Sequence, residues 1–158
     1  MTLDRIHKGV DPEAAVTAFN HVMGADIELS VYLMVGVAGL ERWREHAEGS
    51  AAVLNSASPT YIRLRTFVPR LGTEWCERWQ RGALTLLDAH QALSETRLLI
   101  ERLHGPTMLL SDHISNFLDI HGRIPEDKSI MLETIDEALQ WSLESFRPPT
   151  EQLVGLAL

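Results

Sequence analysis

Cysteine is nearly absent: Cys76 is the only one in 158 residues. No internal disulfide can form, which excludes the disulfide-stapled secreted scaffolds and fits a reducing compartment. Long hydrophobic runs are missing as well. The most apolar stretch, IELSVYLMVGVAGL at 27–40, carries Glu28 and is too short, since a membrane span needs roughly 20 apolar residues. The first residues, MTLDRIHKGVDPEAA, lack the apolar core of a signal peptide. The expectation is a cytoplasmic protein with no transmembrane segment.

Positive charge is also scarce. Fourteen Lys and Arg face 22 Asp and Glu, for a net charge of −8. General nucleic-acid binding needs a basic face to neutralise phosphates, so no nucleic-acid partner is expected. No phosphate-cradling glycine loop, dinucleotide fingerprint or G-x-S-x-G elbow occurs, so neither a cofactor nor a catalytic set is expected.

What is present is helical spacing. Asp11-Pro12-Glu13 supplies an N-cap, a first helical residue and a first-turn acid. Val16, Phe19, Met23, Ile27, Met34 and Val37 keep the period of a helix. That pattern predicts one long helix over 12–48, bent or closely approached at Gly24, Gly36 and Gly39 and stopped at Gly49. GSAAVLNSAS then reads as a small polar linker. Ser58-Pro59-Thr60 is a second start signal, followed by TYIRLRTFV. Ile62, Arg63, Leu64 and Arg65 alternate with period 2, as in an edge strand, but no partner strand is evident. Residues 60–68 therefore read as a short helix ending near Pro69.

Gly72-Thr73-Glu74 opens a second long helix, 74–104, that stops at Gly105-Pro106. Two more helices are predicted, from Pro106 to Gly122 and from Pro125 to Phe146. A Pro148-Pro149 hinge then leads to a tail, 150–158, that folds back or hooks into another subunit. The triplet Glu-Arg-Trp recurs at 41–43 and 77–79, once closing a helix and once opening one, and no repeat period follows. The fold class expected is all-α: a single domain, 1–158, built as an antiparallel bundle of four to six helices with two long ones.

Candidate binding residues follow from that bundle. If Gly105-Pro106 is a tight antiparallel turn, His90 lies level with His121, and Arg97 lies near His113. Polar His90 and Arg97 on an apolar stripe fit an interface that sets register. Glu101 and His104 have an E-x-x-H spacing, which di-iron bundles use twice with further glutamates. It occurs once here, so no metal is expected, and these two residues are the candidates if one binds. Trp75 and Trp79 read as core or interface anchors, with stacking on a cofactor as the alternative. Arg63 and Arg65, with Arg70, Arg78 and Arg81, form a basic cluster interrupted by Glu74 and Glu77. It is a solvated face or a dock for an acidic partner, such as another copy's acidic C-terminal half. Cys76, flanked by tryptophans and glutamates, is not expected to be a nucleophile.

The function expected is that of a non-enzymatic adaptor, chaperone or assembly subunit. It acts through protein–protein contacts as a homo-oligomer, most simply a dimer, because the apolar faces exceed what one copy covers. The alternative is a small-molecule- or metal-binding bundle, enzymatic or not, using His90, His121, Arg97 and Glu101.

Overall fold

The computed structural model describes residues 2–146, and it replaces the expected all-α bundle with a mixed α/β fold. In chain order the elements are α1 (Thr2–Arg5), α2 (Pro12–Gly24), β1 (Ser30–Val35), α3 (Trp43–Ala57) and β2 (Tyr61–Thr66). They continue with α4 (Glu74–Gln80), α5 (Ala89–Arg102), β3 (Thr107–Leu110), β4 (His121–Ile124) and α6 (Lys128–Ala138). A short 3-10 turn, Leu143–Ser145, ends the described chain. The tail 150–158 and its Pro-Pro hinge lie outside the described residues.

Neither long helix exists. The predicted 12–48 helix is α2, β1 and the start of α3. Asp11 does cap α2, its side chain accepting from the Ala14 amide, but the helix ends at Gly24. Ser-Val-Tyr-Leu-Met-Val then extends as β1. Gly36 and Gly39 follow with φ of +84° and +76°, which turn the chain before α3 rather than bend a helix. The supposed linker at 49–58 is mostly the second half of α3. The predicted 74–104 helix is α4 and α5, separated by a loop in which Gly82 has φ +71°. Asp88 and Gln91 close a capping box that starts α5 afresh. Residues 60–68 hold a strand, as their alternation says. Residues 106–122 hold β3, a loop and the start of β4, because Thr107–Leu110 finds a partner in β2. Correspondingly, Glu41-Arg42-Trp43 opens a helix and Glu77-Arg78-Trp79 closes one, the reverse of the sequence reading.

The sheet runs β1-β2-β3-β4. β1, β2 and β3 are mutually parallel, and β4 returns antiparallel to β3. Strands added in one direction, each through a right-handed crossover, leave every crossover helix on the same face. Burial agrees. Ile62, Leu64, Leu109 and Ile124 point into a core shared with Leu99, Ile100, Leu103 and Ile135 of the helical layer. In that layer α3 packs between α2 and α5, and α6 packs on α5. The helix face of the sheet is covered, whereas Tyr32, Met34, Arg65, His121 and Arg123 on the opposite face are exposed.

Candidate functional site

Parallel sheets normally have both faces buried. Here the strand registers place Ser30, Tyr32, Met34, Tyr61, Arg63, Arg65, Met108, Leu110, His121 and Arg123 together on the uncovered face. None of them is buried, and Tyr32 and Met34 are 59% and 44% exposed. None of these strand positions is a carboxylate, and Asp119 lies 3.5 Å from His121 at one border. Arg63, Arg65 and Arg123 form no ion pair among the described residues. Four arginines on or next to the helices do: Arg42 with Glu45, Arg78 with Glu74, Arg97 with Asp136 and Arg102 with Glu48. The Arg65 guanidinium lies 4.5 Å over the Tyr32 ring, a cation–π contact that orients it.

One edge of this sheet is also open. The Leu29 and Val35 carbonyls accept from Tyr61 and Phe67 of the β2 side. Main-chain groups alternate sides along a strand, so those of Ser30, Tyr32 and Met34 point away from β2, where no strand pairs with them among the described residues. Natural edges are usually guarded by charge, proline or a bulge. β1 contains neither a charged residue nor proline. In the helical layer, α2 packs on α3 with no buried residue of its own; Val16, Phe19, Val22 and Met23 remain half-exposed.

The carboxyl ends of the parallel strands are held by two polar networks, one buried and one partly buried. Glu95, 1% exposed on α5, accepts from the Gly36 amide at 3.0 Å and lies 2.6 Å from His46 Nδ1. It thus ties the end of β1 to α3 and α5. Asn116 ties β2 to the loop after β3. Its Oδ1 accepts from the Thr66 amide and hydroxyl at 2.8 and 3.2 Å, while Nδ2 donates to the Leu64 and Ser111 carbonyls.

On the same loop, His113 Nδ1 accepts from the Ser115 amide at 3.1 Å, which leaves the ring proton on Nε2. Its pKa lies below the ordinary 6.5, first because the ring is sheltered from water, then because Arg65 is near; Asp112 opposes both. A folded-state value below the unfolded one gives stability that is full above pH 6.5 and is lost as the pH falls through the folded value. His113→Gln should therefore flatten the loss of thermal stability between pH 7 and pH 5. An unchanged slope would count against this environment for the ring.

The residues singled out from the sequence are dispersed. His90 Nε2 lies 2.9 Å from the Trp141 carbonyl, and its ring meets Phe146 edge-on. Arg97 forms a two-pronged pair with Asp136, which raises the arginine pKa and lowers that of the carboxyl, in both cases first through the hydrogen bond. His121 is exposed on β4, 3.5 Å from Asp119. The helix–helix turn that was to bring His90 and His121 level is instead the start of β3. Glu101 lies 3.8 Å from Arg97, and His104 is exposed beyond the end of α5. No group of three or more His, Cys, Asp or Glu able to hold a metal ion occurs among the described residues. Trp75 packs edge-on to Phe67 with Arg78 over its ring, and Trp79 is half-buried on the same short helix. The basic cluster divides, with Arg63 and Arg65 on the sheet and Arg78 on α4. Glu95, Asn116, Tyr32 and Arg123 were missed, and His113 was named only as a neighbour of Arg97. Only Glu95 left a local signal, a charge within the apolar stripe of α5.

A cleft of about 310 Å³ beside the end of β1 is lined by Ala38–Glu41 and Gly82–Thr85, with Glu41 its one charged residue. No helix among the described residues is long and apolar enough to cross a membrane. No protein-family model matches the sequence, and no curated protein or solved structure matches it.

Proposed function

We propose that the protein is an assembly subunit that joins a second copy edge to edge through β1. The observation that carries this reading is the unguarded edge: six uncharged residues with outward main-chain groups and exposed Tyr32 and Met34. A two-fold axis at Tyr32 pairs Ser30 of each copy with Met34 of the other and Tyr32 with its equivalent. All outward positions then become hydrogen-bonded pairs of an antiparallel ladder. The axis runs through the sheet, so both helical layers stay on one side of the joined sheet. Self-pairing also suits a chain of net charge −8, because the contacting strand itself carries none of that charge.

The test is sedimentation velocity on the intact protein. The wild type should sediment at about twice the 17.8 kDa of the chain. Tyr32→Lys, which places two ammonium groups opposite each other, should sediment as a single chain with its thermal midpoint little changed. A single-chain mass for the wild type at high concentration, or an unaltered dimer in Tyr32→Lys, would overturn the proposal.

A further inference from the structure

We infer that the open face of the sheet binds a small ligand that carries an oxyanion, phosphate or carboxylate, on a flat apolar body. The inference stands on the charge pattern within one copy and is independent of self-association.

The cationic side chains are set out in rows. Arg63 and Arg65 lie two residues apart on β2, a separation of roughly 7 Å along a strand. Arg123 stands on β4, level with Tyr61, and His121 stands level with Arg63. Between these rows β3 contributes only Met108 and Leu110 to the face. Adjacent strands are about 4.8 Å apart, so an apolar strip about one ring wide is bounded by guanidinium groups on both sides. The fork of an arginine matches two oxygens of a phosphate or carboxylate.

Three further features favour an anion here. The half-buried Arg63 has no carboxylate partner, although acidic residues outnumber basic ones in the chain by 22 to 14. Arg65 is already oriented by Tyr32, which lowers the entropy lost on binding. Arg65 lies toward the carboxyl end of β2, the side on which open α/β sheets take their ligands, with Arg63 one pleat behind it. The apolar strip supplies the remaining contact: Met108 and Leu110 match the face of a ring and leave its oxyanion to β2. A bare anion would use only half of this surface.

The test is calorimetric titration of the intact protein with four probes: AMP, naphthoate, inorganic pyrophosphate and adenosine. Titrations are run at protein concentrations above and below the association midpoint. AMP or naphthoate should bind saturably with a one-to-one stoichiometry per chain at both concentrations, at least tenfold more tightly than pyrophosphate or adenosine. AMP but not naphthoate identifies a phosphate ligand, and the reverse a carboxylate. Arg65→Gln, at an exposed position, should weaken binding at least tenfold, and Arg63→Gln similarly. Arg97→Gln, on the helical layer, should leave it unchanged. No saturable binding of either ringed anion would overturn the inference. So would equal loss in the Arg97 variant, or unchanged affinity in a folded Arg65→Gln protein.

Discussion

Replacing Glu95 with alanine should destabilise the fold by about 2–5 kcal/mol, because two neighbours lose a hydrogen-bond partner in a site closed to water, at about 1–3 kcal/mol each. Two losses combine. His46, 12% exposed at its side chain, loses the partner 2.6 Å away. The Gly36 amide, itself buried, loses its acceptor, and an unsatisfied buried donor costs about 1–3 kcal/mol. Gly36 sits at φ +84°, so no neighbouring side chain can be introduced there cheaply to compensate. Glu95→Gln keeps an acceptor for Gly36 and should lose much less. Urea denaturation of the three proteins decides the matter. Equal stability of wild type and Glu95→Ala would mean that the end of β1 is not held from α5.

Asn116→Ala should cost about 2–4 kcal/mol, given about 1 kcal/mol per hydrogen bond and a further cost for each buried group left unpaired. One side chain here bonds the Thr66 amide, the Thr66 hydroxyl, the Leu64 carbonyl and the Ser111 carbonyl. It therefore holds the carboxyl end of β2 against the loop that follows β3. His113 lies on that loop, and its depressed pKa depends on shelter and on the nearness of Arg65. In Asn116→Ala the imidazole should titrate closer to its ordinary value, and the acid sensitivity assigned to His113 should shrink with it. A destabilised variant whose histidine titrates unchanged would separate the stability role of Asn116 from its positioning role.

Local signals in the sequence were sound where the structure is local. Asp11 and Thr73 cap helices at the expected positions, and Gly105-Pro106 follows the end of α5. The failure lay in pairing. SVYLMV is a nearly continuous apolar run, which periodicity cannot assign to helix or strand. Read as helix, it removed the partner that would have made YIRLRT a strand, although that segment alternates clearly. TMLL is too short to show a period at all. The parallel strands pair with residues roughly 30 to 50 positions away, so one wrong element erased the sheet.

The site failed for the same reason. Arg63 and Arg65 were visible as a basic pair, but their neighbours Tyr32, Met108 and Arg123 join them only through the sheet register. Glu95 was the exception. Ala92, Thr96 and Leu99 around it are all buried, so a helical wheel already places its carboxylate inside.

Both proposed roles use the part of the sheet that the helical layer leaves open: the edge for a second copy, the face for an anion. The most direct measurement is amide hydrogen exchange of β1 as a function of protein concentration. Tyr32 and Met34 amides point outward, whereas those of Val31 and Leu33 point toward β2. Edge pairing predicts that Tyr32 and Met34 exchange slowly at high concentration and rapidly on dilution, with Val31 and Leu33 slow throughout. Rapid exchange of Tyr32 and Met34 at every concentration would contradict it.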